Sequence, residues 1–220
     1  ILIDFQSFNL KLAGKLSERG VRVLYYVAPQ AWAWKAYRVK KLAQYAHTLF
    51  TIIPFEKKWF NDRGVKKVVS IDHPLWPTYK NELLDFKREK VLPRTIRILL
   101  LPGSRKFEVE KLLPIFIETV RILKKELPLK VAIVKSPTVP PELFAPYKNS
   151  GDFDAIYSSD ELTVALKEAD FSLAASGTVT LTCALFLVPT LVCYKTSLFN
   201  QFIYETLVSY RGPISLANIV

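Results

Sequence analysis

The sequence predicts an α/β fold made of two doubly wound parallel sheets, and three observations carry that reading. Short apolar runs rich in Val, Ile, Leu and Tyr alternate with amphipathic helical runs along the whole chain, which is the pattern of successive βαβ units. The alternation breaks once, at DHPLWPTYKNELLDFKREK (72–90), where two prolines precede a highly charged stretch. Half of the 220 residues are apolar, enough for a sizeable core and against global disorder. The expected organisation is a first lobe over 1–76, an interdomain region over 77–94 and a second lobe over 95–220.

The elements follow in order. ILI (1–3) reads as a strand, and NLKLAGKLSERG (9–20) as a helix stopped by Gly20. VRVLYYV (21–27) is a strand, 35–46 a basic helix, HTLFTII (47–53) a strand, 56–64 a short helix ending in Gly64, and VKKVVSI (65–71) a strand. The rhythm then repeats with RTIRILLL (94–101), a strand, and a helix over 106–127. Pro114 is expected to kink that helix or to start its main part. Strands are expected at 129–135, 153–158, 170–176 and 189–195. Helices are expected at 160–169, 178–187 and 197–210, with a short helix and turn in PPELFAPYKN.

Composition narrows the function. The formal net charge of +11 favours nucleic acid, anionic membrane surfaces or phosphorylated ligands as partners, but no nucleic-acid-binding motif accompanies it. No apolar run approaches the roughly 20 residues of a membrane-spanning helix, and no signal peptide is visible. Cys183 and Cys193 lie in apolar alternating sequence and read as reduced core thiols. His47 and His73 are far apart, and no Cys/His grouping has zinc-site spacing. The first residue is Ile, Met is absent, and the sequence opens inside a strand-like run, which reads as a piece of a longer protein.

Two strand-to-helix turns could carry chemistry. In LPGSR (101–105), Gly103 lets the backbone approach a ligand, Ser104 caps the helix or bonds a phosphate oxygen, and Arg105 offers a planar fork to phosphate. In AASGTVTL (174–181), Ser176, Gly177 and Thr178 present amides and hydroxyls at a second helix start. An ordinary helix cap explains either turn alone. Together they fall at strand carboxyl ends of one lobe, where open α/β sheets bind ligands. A third stretch, PQAWAWKAYRVKK (29–41), puts Trp32 and Trp34 before Lys35, Arg38, Lys40 and Lys41. It reads either as buried aromatics beside a solvated basic face or as an interfacial surface for anionic lipid.

IDFQSFN, YYVAPQAWAWKAYRVKKLA, IIPFEKKWF, DHPL, LLPGSRKFEVEKLLP, ASGTVTL and ISLANI, in that order, resemble lipid-A-disaccharide synthases over nearly the whole chain. The family's glycine-rich N-terminal segment and its segment beyond the NI motif are missing, in keeping with a piece of a longer protein. The resemblance implies the two-lobed GT-B fold and an inverting glycosyl transfer. UDP-2,3-diacylglucosamine is the implied donor and 2,3-diacylglucosamine 1-phosphate the acceptor, giving a β-1,6-linked disaccharide phosphate and UDP, with no cofactor and no metal. It implies a cytoplasmic enzyme peripheral to an anionic inner-membrane surface, and a possible homodimer. Arg105 would offset charge on the departing UDP, and Asp4 would be the base or an acceptor-site residue. Asn9 and His73 match family positions lining the cleft. The chain departs from the pattern at Gln6-Ser7, usually Pro-Gly, at Asp72, usually Gly, and at Thr182, usually a Glu that binds the nucleotide ribose. Two further readings stay open: another nucleotide-sugar enzyme of the same fold, such as an epimerase, or a non-catalytic relative in which the Thr182 change marks lost activity.

Overall fold

A computed structural model describes residues 1–33, 35–88, 95–148 and 150–195. The helix expected at 197–210 and the ISLANI motif lie outside the described residues. The chain divides into two compact units, one running from Ile1 to Thr78 and one beginning at Tyr79.

The first unit contains β1 (Leu2–Ile3), α1 (Gln6–Glu18), β2 (Leu24–Tyr26), α2 (Arg38–Tyr45), β3 (Thr48–Thr51), α3 (Glu56–Asn61) and β4 (Val68–Ser70). Its strands are all parallel and lie in the order β1-β2-β3-β4. Leu10 and Ala13 of α1, Tyr25 of β2, Leu42 of α2, Leu49 of β3 and Phe60 of α3 form its core. The fit between α1 and α2 is close, since a Cβ on Gly14 would stand 3.2 Å from the Tyr45 ring.

The second unit takes in most of α4 (Leu75–Leu84), then β5 (Ile96–Leu101), α5 (Lys106–Leu123), β6 (Leu129–Lys135), β7 (Ala155–Ser158), α6 (Leu162–Glu168), β8 (Phe171–Ala175), α7 (Thr178–Leu185) and β9 (Thr190–Cys193). All five strands are parallel, in the order β7-β6-β5-β8-β9. Alternation along β5 sends Ile98 and Leu100 into a core with α5, and Leu99 and Leu101 into a second core with α6 and α7. Both faces of the sheet are therefore covered, as a parallel sheet requires.

Two local expectations change. The charged stretch after Pro74 forms a helix, because Tyr79, Leu83 and Phe86 recur at near-helical spacing and pack on Phe186 and its core. Its guanidinium neighbour Arg88 donates to the carbonyls of Leu166, Ala169 and Phe186, at the carboxyl ends of α6 and α7. The helix after the PGSR turn does not restart at Pro114 but runs unbroken from Lys106 to Leu123. The buried stripe of Val109, Leu112, Leu113, Phe116, Ile117 and Val120 spans the proline and offsets the one backbone bond it removes.

Candidate functional site

In the second unit, β5 and β8 are neighbours, with Leu101 paired to Ala174. The strand order reverses there, so the loop after β5 and the loop after β8 lead to helices that leave on opposite faces. The crevice between them is a cavity of about 310 Å³. Gly103, Ser104 and Arg105 line it from one loop, and Ser176, Gly177 and Thr178 from the other. Six residues picked from two distant stretches of sequence thus share one cavity, with the amino ends of α5 and α7 beside it. Gly103 has φ +117°, a conformation that disfavours any side chain.

The cavity also holds residues that the motifs did not single out. Ser136 follows β6 and Ser159 follows β7, both at carboxyl ends of the same sheet. Glu108 lies one turn into α5, where its Oε2 accepts the backbone N–H of Ser104 at 3.2 Å and of Arg105 at 3.3 Å. Its Oε1 pairs with the Arg105 guanidinium at 2.8 Å. The acid three residues after the cap is a capping-box spacing and was readable as such.

Thr182 is the family's ribose-binding position by the resemblance. It is 2% exposed, one turn beyond Thr178 on the same side of α7, and the cavity is lined from that helix by Thr178 and Val179. A larger cavity, about 430 Å³, lies at the opposite, amino end of the sheet, near Arg97, Lys130 and Asp154. There Asp154 accepts the Val131 N–H and Tyr157 donates to Glu168, so these charged groups serve the fold. It is also the wrong edge for ligand binding in this architecture.

In the first unit, Asp4 follows β1 at the carboxyl edge of the sheet. Asp4 and Phe5 both have left-handed φ values, 45° and 38°, which cost about 1–2 kcal/mol each for residues with a Cβ. The turn is braced from within. The Asp4 carbonyl accepts the Asn9 side-chain amide at 2.8 Å and the Tyr25 hydroxyl at 3.1 Å, and Asn9 also donates to the Ile3 carbonyl. Asn9, expected to line a cleft, is 8% exposed and braces the backbone instead. Burial, with Asp4 nearby, pushes the Tyr25 phenol up to about 12, so Tyr25 remains a donor. His73 follows β4, at the far side of this sheet. Three interstrand spacings put it about 14 Å from the β1 end. Its Nδ1 accepts the Leu75 N–H and caps α4, and burial lowers its pKa. Asp4 and His73 share an edge of the sheet but not one spot.

The basic stretch is not a single face. Lys35, Lys40 and Lys41 are exposed, but Arg38 is 7% exposed and donates to the Gln6 and Ser7 side chains of α1. Those two acceptors are the residues that replace the family's Pro-Gly. Trp32 is half-buried, with its indole N–H on Glu56 at 2.9 Å and its ring edge-on to Phe55. A buried carboxylate thus draws the Trp inward. Trp34 lies outside the described residues.

Solved structures share this fold at low sequence identity. A UDP co-structure of Staphylococcus aureus MnaA superposes with a TM-score of 0.60 at 15% identity, covering 89% of this chain and 58% of that one. The UDP-GlcNAc 2-epimerase of Methanocaldococcus jannaschii gives 0.50 at 14%, covering 90% and 61%. The fold is of the GT-B type. Curated relatives include the lipid-A-disaccharide synthases of Nitrosococcus oceani, 33% identical over all of this chain and 57% of the relative, and of Persephonella marina, 34% identical over all of it and 60% of the relative. The chain therefore spans somewhat over half the length of these proteins. The model of the lipid-A-disaccharide synthetase family matches residues 1–220, and the chain belongs to that family.

Proposed function

We propose that the protein transfers 2,3-diacylglucosamine from UDP to 2,3-diacylglucosamine 1-phosphate with inversion, releasing UDP. One observation carries this reading: the PGSR and ASGT loops open onto a single cavity at the switch point of the second sheet, with Arg105 beside it. A departing diphosphate gathers negative charge as its bond to the sugar breaks. Two helix amino ends, the amides at Ser104 and Thr178 and the Arg105 guanidinium supply the compensating field.

Asp4 takes the proton of the acceptor's 6-hydroxyl. The hydroxyl oxygen then bonds to the sugar's C1 as the C1–O bond to UDP breaks, and that electron pair leaves with the diphosphate. Asn9 and Tyr25 act on Asp4 only through its backbone. Acylated substrates place the work at a bilayer. Among the described residues no helix is long and apolar enough to cross a membrane. Lys35, Lys40 and Lys41 would hold the protein to an anionic surface by about 1 kcal/mol each, reversibly and against salt.

The test is UDP binding. Arg105→Ala should weaken it by roughly 1.5–3 kcal/mol, the scale of a charge-assisted hydrogen bond. Unchanged UDP affinity in that variant would remove the diphosphate from this cavity. Thr182 favours a second reading, a relative that binds the nucleotide without turnover. UDP binding with no transfer by the full-length protein would select it.

A further inference from the structure

Two of the donors assigned above to a diphosphate, the Ser104 amide and the Arg105 guanidinium, already hold an anion, the side chain of Glu108. Its carboxylate takes two successive backbone N–H groups and the Arg105 guanidinium. The geometry is built for this occupant. A Cβ on residue 103 would stand 2.5 Å from Glu108 Oε2 and 2.8 Å from Glu108 Cβ, so only glycine lets the carboxylate lie across the turn. The Glu108 side chain is 15% exposed, whereas that of Arg105 is 69% exposed. The acid is the settled member of the pair and the arginine the accessible one. A plain capping box needs only the cap residue's own N–H. Here the same oxygen also takes the N–H before it, and the other oxygen takes the cation.

We propose that Glu108 is a built-in stand-in for the diphosphate, which a nucleotide's phosphates must displace, and that it thereby sets how tightly the site takes a nucleoside diphosphate. This rests on reading the cavity as a nucleotide site. A carboxylate brings one negative charge and two oxygens to these donors. A diphosphate brings at least two charges and more oxygens, so it wins the exchange. Its net affinity is still reduced by the bonds Glu108 gives up, as for any ligand whose competent state must first be formed. After exchange the carboxylate stands next to the bound anion and further weakens it. A modest affinity for the leaving group suits an enzyme that must release UDP after each transfer.

The experiment is calorimetric titration of the full chain and its Glu108→Gln variant with UDP, inorganic pyrophosphate and uridine. Gln keeps the size and one acceptor oxygen but removes the charge. UDP and pyrophosphate should bind about tenfold tighter to the variant, the change expected for one charge-assisted hydrogen bond no longer opposed. Uridine, which does not reach the turn, should bind both proteins equally. Equal or weaker UDP binding by a folded variant overturns the proposal and leaves the nucleotide site standing. No UDP binding by either protein overturns both. A measurement on the parent alone covers a variant that folds poorly. The Glu108 carboxyl carbon resonance should move when pyrophosphate is added, and binding that leaves it unmoved rules out the exchange.

Discussion

The two sheets are built from the same unit but use their carboxyl edges differently. In the second, the chain starts in the middle at β5, builds outward to β7, and returns to β5's other side with β8. Two loops then leave neighbouring strand ends for opposite faces and a crevice follows. In the first, the described strands run β1-β2-β3-β4 without reversal. Each loop simply follows the last, and the two titratable side chains of interest, Asp4 and His73, end up at opposite sides of the sheet. A polar site made by topology collects residues from several loops. A site made without it depends on one turn and on whatever braces that turn.

That difference predicts which site is the more brittle. Asp4→Asn takes away the proton acceptor proposed above and keeps the shape. In the full-length protein it should lower turnover by about 10²–10⁴, the usual worth of general-base catalysis, and leave UDP binding intact. Tyr25→Phe removes one of the two side chains holding the strained Asp4 carbonyl. It should reduce turnover less, because the carboxylate itself is untouched. Near-normal turnover in Asp4→Asn removes Asp4 from the base role. A silent Tyr25→Phe beside a dead Asp4→Asn means Asn9 alone suffices as the brace.

The next effect tests whether the segment after Thr78 belongs to the second unit. Arg88 gathers three carbonyls at the carboxyl ends of α6 and α7. Arg88→Leu should cost about 2–3 kcal/mol, the scale of hydrogen bonds to a charged group that leave buried acceptors behind. Denaturant midpoints would read it. A loss under about 0.5 kcal/mol, the range of ordinary surface changes, would mean that this clamp matters little to the fold.

Much of this was legible in the sequence because it depends on local pattern. Alternating apolar runs gave the strands, and small-residue turns after them gave Gly103, Ser104 and Arg105 together with Ser176, Gly177 and Thr178 at one cavity. What was not legible depends on partners distant in sequence. Trp32 and Lys35 look alike as interfacial residues until Glu56, 24 positions on from the Trp, takes its indole N–H. Arg38 reads as a surface cation until α1 supplies Gln6 and Ser7. Asn9 reads as a cleft-lining residue until its amide is found on the Ile3 and Asp4 carbonyls of a left-handed turn. The helix α4 was hidden because its charges are its solvent face and its few apolar residues matter only against Phe186.

The smallest effect sets two buried carboxylates against each other, one in each unit. Glu56, 1% exposed, has its pKa raised by burial, partly countered by the Trp32 indole and the Ile53 N–H. Asp152, 5% exposed, has its pKa lowered, first by its hydrogen bond from Arg121 and then by Ser150. Their linkages to stability have opposite signs. Above the raised pKa, Glu56 is charged and costs stability. That cost is relieved as pH falls through the raised value and is gone below the ordinary Glu value of about 4.3. Asp152 contributes stability above the ordinary Asp value of about 3.9, and the contribution is lost as pH falls through its depressed one. Glu56→Gln should therefore gain on the parent at neutral pH relative to pH 4, and Asp152→Asn should lose most at neutral pH and progressively less in acid. The absolute offset of Glu56→Gln also includes an amide NH₂ facing the Ile53 N–H, so the pH slope is the quantity to read. Denaturation midpoints from pH 3 to pH 8 measure it. If Glu56→Gln keeps the parent's slope, the carboxylate under Trp32 is not held against its charge, and the inward anchoring of that tryptophan needs another cause.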